Sequence, residues 1–372
     1  MVSVFYKNLL RKTILSLGND HKDNYDLLRF GDKKTDKFNL STYIYNLKFI
    51  TDRFFNKSNY IAILNNYSEV LKGEDFYKLE WFNDTLEDDE SKELMIDIIA
   101  FRMLGYAKVK LSVNNPEYWK KLKKCTDLEQ KGPINIDLDE FKLCLFNLKD
   151  LGYDIKIYFL SLGVLVDFVL EQYSYKSINK TICVDPGDIV IDAGGCWGDT
   201  ALYFASRTGD KGKVFSFEFI PKNLKIFKTN LSLNPMLASR IEIVENPVWE
   251  ESDMMTYYVD RGPASSVSFE KIEGNVNNSV RTKTIDALVR EKNLSKVDFI
   301  KMDIEGAEPF ALKGAEETIR KYKPKLAIAI YHSMNDFVNI PEYIDSLNLG
   351  YKFYLAHYTI HEEETILFAT TG

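Results

Sequence analysis

The chain has 372 residues and a net charge of −7, with 45% hydrophobic and 28% charged residues. This length permits two domains, because a single hydrophobic core stops growing at roughly 250–300 residues. The acidic balance argues against a protein that binds along a nucleic-acid backbone, which usually has a basic surplus. The cysteines, Cys125, Cys144, Cys183 and Cys196, show no CxxC spacing for zinc and no disulfide framework, so we expect a reducing, cytoplasmic compartment.

Residues 1–150 are predicted to form a mostly helical accessory domain. Apolar residues recur at helical spacing over Tyr43 to Phe55 and over Leu94 to Leu104, and the second run stops at Gly105. The segment Met1 to Leu17 packs on its own domain or contacts a membrane surface as an amphipathic helix. No apolar run approaches the roughly 20 residues that a membrane span requires.

Residues 151–372 are predicted to form the catalytic domain, in which strands and helices alternate from Asp188 onward. This pattern is typical of a doubly wound parallel sheet. Two aromatic-rich segments, Lys352–Ala356 and Thr365–Ala369, read as an antiparallel hairpin at the end. The predicted fold is therefore a Rossmann-like α/β sheet of seven strands. The five predicted parallel strands are Ile189–Asp192, Lys213–Phe217, Ile241–Val244, Phe299–Met302 and Leu326–Ile330.

A glycine-rich turn follows the first of these strands, in the run Val-Ile-Asp-Ala-Gly-Gly-Cys-Trp-Gly that ends at Gly198. Such a turn lets backbone N–H groups approach a ligand, because no Cβ stands in the way. The carboxylate of Asp192 would repel a diphosphate and attract a cationic amino-acid group. The turn therefore favours S-adenosylmethionine over a dinucleotide or ATP, with Asp192, Gly194, Gly195 and Gly198 as predicted cofactor-binding residues.

Two further residues are predicted to bind a nucleoside. Glu218 ends the second strand, where an acid can accept hydrogen bonds from both ribose hydroxyls. Asn246 follows the third strand and is predicted to read the amino group of adenine. The spacing of the turn and Glu218 is one residue away from the fingerprint of a nicotinamide dinucleotide site. An NAD-dependent oxidoreductase therefore stays an alternative, although Asp192 and the late position of the turn argue against it.

A group of acids follows the fourth strand, at Asp303, Glu305 and Glu308, and His332 follows the fifth. The carboxyl ends of parallel strands form the ligand-binding edge of such a sheet. Crowded carboxylates raise the pKa of at least one member unless a cation is present. Either His332 or one acid is the general base for a substrate hydroxyl, or Asp303 and Glu305 hold a divalent ion such as Mg²⁺. Asp303 is also predicted to bind the cofactor. Glu308 also fits a helix cap.

Substrate contacts are predicted at two other places. The small-residue loop Gly262 to Ser266 suits polar contact with a hydroxylated substrate through Ser265 and Ser266. His357 and His361 flank the turn of the final hairpin, and His357 is the stronger candidate for substrate contact.

Taken together, these residues resemble the FkbM family of S-adenosylmethionine-dependent methyltransferases, over about Tyr173 to Ala369. The family's first motif is usually Asp-x-Gly-Ala-Asn-x-Gly, and here Gly195 and Cys196 replace the Ala and the Asn. A cofactor contact from that Asn side chain is therefore not carried over. The resemblance rests on the segments Val190–Gly198, Phe217–Glu218, Thr284–Asp286, Phe299–Glu308, Lys313–Ala315, Lys323–Ala327 and Ile330–His332.

The resemblance implies a class I methyltransferase that methylates a hydroxyl, commonly of a sugar in polysaccharide or natural-product biosynthesis. It implies that Asp192, Gly194 and Glu218 bind the cofactor, and that the partner is a small-molecule or glycan substrate and no nucleic acid. An RNA methyltransferase on the same fold stays an alternative, although the Asn/Asp-Pro-Pro-aromatic tetrapeptide of amino-group methylation is absent. A homodimer is a possible assembly.

Overall fold

A computed structural model describes most of the chain, and its residues pack as two compact units. The first unit is 1–115 with 359–363, and the second is 116–358 with 364–372. The predicted accessory domain runs further, to residue 150, and its separate role stays a prediction. The structure describes residues 4–25, 75–130, 142–259, 262, 265–269 and 278–372. The predicted helix Tyr43 to Phe55 lies outside these residues.

The described part of the first unit is helical, as predicted. Its helices are α1 (Val4–Leu17), α2 (Asp75–Thr85) and α3 (Asp89–Leu104). Helix α3 begins where the Asp88 side chain accepts a hydrogen bond from the Ser91 N–H, and it ends at Gly105.

The apolar face of α1 is buried, and α1 packs against α3 within the same unit. The face that a membrane-surface helix would insert is therefore already covered, which favours packing on its own domain. In the part of the chain that the structure describes, no helix has both the length and the hydropathy needed to cross a bilayer.

The second unit is built around a sheet of seven strands, so the predicted fold is confirmed. The strands are β1 (Ile189–Ala193), β2 (Lys213–Phe217), β3 (Ile241–Val244), β4 (Phe299–Met302), β5 (Lys325–Ala329), β6 (Lys352–His357) and β7 (Thr365–Thr370). The strand order in the sheet is β6-β7-β5-β4-β1-β2-β3, and only β7 runs antiparallel to its neighbours β5 and β6. Every residue of β4 is buried, as expected for a parallel strand with both faces covered.

Helix α4 (Pro116–Asp127) precedes the first strand of this sheet along the chain. Helices α5 (Asp199–Thr208), α6 (Pro221–Ser232), α8 (Glu308–Lys313) and α10 (Asp336–Ser346) follow the carboxyl ends of β1, β2, β4 and β5, whereas α7 (Ile285–Glu291) precedes β4 and α9 (Glu316–Tyr322) precedes β5. Short helical turns lie at Leu148–Leu151, Ser161–Gly163, Val164–Val169 and Pro235–Ala238.

Smaller antiparallel sheets flank the large one. Between β3 and β4, Met255–Val259 pairs with Ser266–Ser268 on one side and Ser279–Arg281 on the other, a sheet that the sequence did not predict. A second sheet has Cys144–Asn147 between Glu129–Gln130 and Lys156–Phe159. A two-stranded pair joins Tyr175–Lys176 to Thr181–Ile182.

The glycine turn after β1 lies directly against the end of β4. Gly194 has a φ of +92°, and a Cβ placed there would lie 1.9 Å from the carbonyl oxygen of Asp303. Glycine is thus required both by the backbone conformation and by the close approach of a neighbouring strand end.

We expect Gly194→Ala to destabilise the fold much more than Gly187→Ala. Gly187 has nearly the same φ, +91°, but a Cβ there would meet nothing within 4 Å. The control should lose about 1–2 kcal/mol of unfolding free energy, because its alanine adds only the strain of a left-handed backbone conformation. Gly194→Ala should lose about 3 kcal/mol or more. Urea unfolding measures both, and equal losses would contradict the role of the contact with Asp303.

Candidate active site

A cavity lies at the carboxyl ends of β1, β2, β3 and β4. This position is the ligand-binding edge of an α/β sheet. The lining is contributed by Gly194, Cys196, 217–220, Asn223, 246–248, 303–305 and Ala307, with Gly262, Ser265 and Val267 from the region of the small sheet.

Three carboxylates line this cavity: Glu218, Asp303 and Glu305. Among the residues that the structure describes, no lysine or arginine joins them there. An uncompensated diphosphate would be repelled by such a wall, whereas a positively charged ligand would be attracted.

Glu218 follows β2 and is held at the start of α6. Its Oε1 accepts hydrogen bonds from the backbone N–H groups of Phe219 (2.6 Å) and Ile220 (2.7 Å), and its Oε2 accepts one from the Asn223 amide (3.1 Å). Burial nevertheless raises the pKa of Glu218 to about 7. Asn223 was missed by sequence reasoning, although its place in the first turn of α6 could have indicated it.

Asn246 follows β3 and lines the cavity, as its predicted role requires. Its amide group donates to the carbonyl oxygen of Arg281 at 2.9 Å. The side-chain oxygen is therefore the atom of Asn246 that suits an amino group such as that of adenine.

Asp192 does not line the cavity, in contrast to the contact that its sequence position suggests. Its buried carboxylate accepts hydrogen bonds from Ser216 (2.7 Å) and Thr200 (3.0 Å) and lies 3.3 Å from Nζ of Lys301. Lys301 is its direct neighbour in the register between β1 and β4. The charge expected to attract a ligand is thus already paired with a cation of the protein.

Lys301 connects this buried pair to the glycine turn. Its ammonium group also donates to the carbonyl oxygens of Gly194 (2.6 Å) and Ala193 (3.2 Å). Burial alone would lower the pKa of Lys301, but the surrounding charges of Asp192, Asp303 and Asp199 outweigh it and raise that pKa. Sequence reasoning missed Lys301, although a lysine inside an apolar strand is itself a signal.

The other glycines of the turn serve packing. A Cβ on Gly198 would lie 2.3 Å from the ring of Phe227 in α6, and one on Gly195 would lie 2.2 Å from Oγ of Ser216. Of the turn residues, Gly194 and Cys196 line the cavity. Gly195 and Gly198 thus pack closely against β2 and α6, and their predicted cofactor contacts stay predictions.

Asp303 lies at the end of β4 and accepts hydrogen bonds from two tyrosines, of which Tyr173 is buried and Tyr331 is partly exposed. The hydroxyl of Tyr173 is 2.9 Å from Oδ2, and that of Tyr331 is 3.0 Å from Oδ1. Burial first, and then the charge of Asp303, raises the pKa of both phenols well above the usual range, so both remain donors. These tyrosines were not predicted.

His332 joins the acids as predicted, since β5 lies beside β4. Its Nε2 is 3.4 Å from Oδ1 of Asp303 and 3.6 Å from Oε2 of Glu305, and its Nδ1 is 3.4 Å from Oε1 of Glu308. The carboxylates of Asp303 and Glu305 line the cavity, whereas His332 lies behind them with 11% of its side chain exposed.

Glu308 is fully buried at the start of α8, and its Oε1 accepts a hydrogen bond from the Ile304 N–H at 2.7 Å. This contact holds the loop before α8 and does not cap the helix, because the N-cap residue is Ala307 and no side chain caps this helix. The helix-cap role suggested for Glu308 is therefore wrong. Burial raises the pKa of Glu308 to about 8.

The predicted substrate residues are dispersed. Ser265 lines the cavity and donates to the Gly262 carbonyl oxygen at 2.6 Å, while the side chain of Ser266 lies outside the described residues. His357 ends β6, is buried beside Thr365 (2.9 Å) and does not line the cavity. His361 belongs to the first compact unit.

The strand order and the cavity above β1, β2, β3 and β4 define the fold of a class I methyltransferase. The crystal structure of the methyltransferase FkbM from Methylobacillus flagellatus KT shares this fold, with a TM-score of 0.50 and 19% sequence identity. The match covers 88% of this chain and 70% of that one.

The family follows from sequence comparison. Residues 187–353 match the model of the Methyltransferase FkbM domain. "Methyltransferase sdnD" from Sordaria araneosa is 26% identical, over 39% of this chain and 69% of that protein. Residues 187–353 thus form an FkbM methyltransferase domain, and the resemblance inferred from the motifs of the chain is confirmed.

We expect Lys301→Met to cost about 3–5 kcal/mol of unfolding free energy, because it leaves Asp192 buried without its cation. Lys325→Met is the matched control, since Lys325 pairs at the opposite end of neighbouring β5 with Asp185 and Asp188 and is 22% exposed. That change should cost about 1 kcal/mol. Comparable losses in urea unfolding would show that the buried pair has no special weight.

Glu308→Gln should make stability less dependent on pH. A folded pKa near 8, raised from 4.5, means that stability is fully present below about pH 4.5 and is lost as pH rises to about 8. Between pH 5 and pH 8, the unfolding free energy of the wild type should therefore fall by about 3–5 kcal/mol more than that of the variant.

The exposed Glu317→Gln is the control for this comparison, and it should keep the wild-type slope. Parallel pH profiles for wild type and Glu308→Gln in urea unfolding would contradict the raised pKa of Glu308.

Proposed function

We propose that this methyltransferase transfers a methyl group from S-adenosylmethionine to a hydroxyl oxygen, with a sugar hydroxyl as the favoured acceptor. One observation carries the proposal: an acid suited to a ribose, Glu218, and the Asp303–Glu305 pair face the same cavity from the ends of β2 and β4, the strands on either side of β1. The first can bind a nucleoside and the second can receive a proton, and both are needed for this reaction.

The residues around the cavity fit S-adenosylmethionine. Glu218 has acceptor capacity beyond its three hydrogen bonds, because a carboxylate has about four lone-pair sites. Asn246 would accept from the adenine amino group, and Val248 offers an apolar surface beside it. Gly194 and Cys196 would border the amino-acid portion. When bound, this cofactor supplies an electrophilic methyl group on a positively charged sulfur.

The acids that line the cavity, and not the buried Asp192, support binding of a cationic ligand here. Asp303, Glu305 and Glu218 line the cavity, whereas the charge of Asp192 is neutralised by Lys301. The preference for S-adenosylmethionine over a dinucleotide, first inferred from Asp192, is therefore proposed on a different set of carboxylates. The methyltransferase domain itself sets aside the NAD-dependent oxidoreductase.

On the acceptor side, the cluster of Asp303, Glu305 and His332 would orient the hydroxyl and remove its proton. Tyr173 and Tyr331 fix the Asp303 carboxylate, which orients the hydroxyl, and Glu305 receives the proton as the carbon–oxygen bond forms. His332 would stabilise Glu305 from behind, at 3.6 Å. Asp303 and Glu305 also stay the predicted ligands of a divalent ion such as Mg²⁺.

Ser265, beside the cavity, supports a hydroxylated acceptor, and with it a role in polysaccharide or natural-product biosynthesis. Substrate contacts of Ser266 and His357, a cytoplasmic location and a homodimer remain predictions. An RNA methyltransferase is the second candidate, and a salt-sensitive shift of labelled RNA on addition of the protein would favour it.

Isothermal titration with S-adenosylmethionine and with NAD tests the cofactor. We expect the protein to bind S-adenosylmethionine but not NAD. Glu218→Gln should weaken binding about 10- to 100-fold, because a hydrogen bond to a charged group contributes about 1.5–3 kcal/mol. Glu245→Gln, an exposed acid after β3, is the control and should bind like the wild type.

A further variant, His332→Ala, separates binding from chemistry when methyl transfer to a panel of glycan acceptors is assayed. This variant should lower turnover about 100-fold or more while cofactor affinity changes little. Equal loss of turnover and affinity would mean that His332 supports the fold. Binding of NAD instead of S-adenosylmethionine would overturn the proposed function.

A further inference from the structure

We propose that Asp303, Glu305 and His332 together form a binding site for one divalent metal cation, in which His332 is the third ligand beside the two predicted acids. One atom of each of these residues, a carboxylate oxygen or a ring nitrogen, lies within 4.8 Å of the others. Two of the three side chains line the cavity, so a cation held by them has coordination positions open toward a substrate.

The distances in this cluster suit a shared cation better than direct ion pairs. A protonated histidine bound to a carboxylate lies at about 2.7–2.9 Å, whereas His332 Nε2 is 3.4 Å from Asp303 and 3.6 Å from Glu305. Ligands at about 2.1 Å from a metal are separated by about 3.0 Å in octahedral and 3.4 Å in tetrahedral geometry. The two separations from His332 lie close to these values, and the third pair, Asp303 with Glu305, lies within 4.8 Å.

The nitrogens of His332 support the same conclusion. Both are buried, and neither has a hydrogen-bond partner in the structure as described. A buried imidazole normally has its polar atoms satisfied. A cation on Nε2 would supply the missing partner on the side of Asp303 and Glu305.

Neighbouring groups are placed as the supporting partners of metal ligands usually are. Oε1 of Glu308 lies 3.4 Å from His332 Nδ1, so Nε2 is the ring nitrogen that faces Asp303 and Glu305. Tyr331 donates to both oxygens of Asp303, at 3.0 and 3.2 Å, and Tyr173 donates to Oδ2. The carboxylate is thereby held in one orientation.

The chemical consequence rests on the proposed function, although metal binding itself does not. A hydroxyl coordinated to a divalent cation loses its proton more readily. The proton passes to the Glu305 oxygen that does not bind the cation. The hydroxyl oxygen keeps its electron pair and forms the bond to the methyl carbon, and the pair of the broken carbon–sulfur bond stays on sulfur.

Binding of Mn²⁺ to the full chain, after treatment with EDTA and its removal, tests the site without any activity assay. The electron paramagnetic resonance signal of free Mn²⁺ measures how much metal is bound. We expect one Mn²⁺ per chain, displaced by excess Mg²⁺. His332→Ala and Glu305→Gln should each weaken binding at least 10-fold, and Tyr331→Phe about 10- to 100-fold as a supporting partner.

Asp210→Asn is the matched control, because this acid is 92% exposed on the protein surface and away from the cavity lining. It should bind Mn²⁺ like the wild type. Thermal unfolding of each variant without metal shows whether the fold is kept, and Glu305→Gln tests the site even if His332→Ala does not fold.

Two outcomes would overturn the cation site: no Mn²⁺ bound by the wild type at millimolar concentration, or equal binding by wild type, His332→Ala and Glu305→Gln. The proposed function fails separately, by absence of S-adenosylmethionine binding in titration. Cofactor binding without Mn²⁺ binding would remove only the metal site, and the reverse would remove only the proposed function.

Discussion

The buried pair of Lys301 and Asp192 is the interaction on which the site depends. It crosses between the central strands β1 and β4, and the same ammonium group binds the carbonyl oxygens of the glycine turn. Two charges in a protein interior are costly unless their geometry and further hydrogen bonds compensate for the lost solvation. Here Ser216 and Thr200 complete the bonding of Asp192. The pair therefore fixes the floor of the cavity while adding little charge to it.

Negative charge accumulates around this one cation. Besides the acids of the cavity, Asp167 and Asp199 lie buried nearby, and burial followed by repulsion from Asp199 raises the pKa of Asp167 well above its usual range. Burial and this repulsion together disfavour two charges on that pair. The carboxylates of the cavity also lie near one another, and a sulfonium or a metal cation would relieve their repulsion.

Glycine has two separate uses in the turn after β1. Gly194 allows β1 and β4 to converge below the cavity, and Gly198 lets Phe227 of α6 close against the turn. The sequence analysis predicted ligand contact for all of these glycines and did not predict either packing role. The pattern is the same for either use, because a missing Cβ admits a ligand or a neighbouring side chain equally well.

The strands, their order along the chain and the grouping of Asp303, Glu305 and His332 could be predicted from the sequence. Apolar runs, turn residues and the rule that ligands bind at the carboxyl ends of parallel strands depend only on nearby residues. The partner of Asp192 could not be predicted from the sequence. Lys301 and the turn that it binds are 107 residues apart, and only the register between β1 and β4 brings them together. The tyrosines on Asp303 and the small sheet beside the cavity were likewise decided by tertiary packing. The direction of a side chain at a strand end depends on the residues that pack against it, and these residues come from distant parts of the chain.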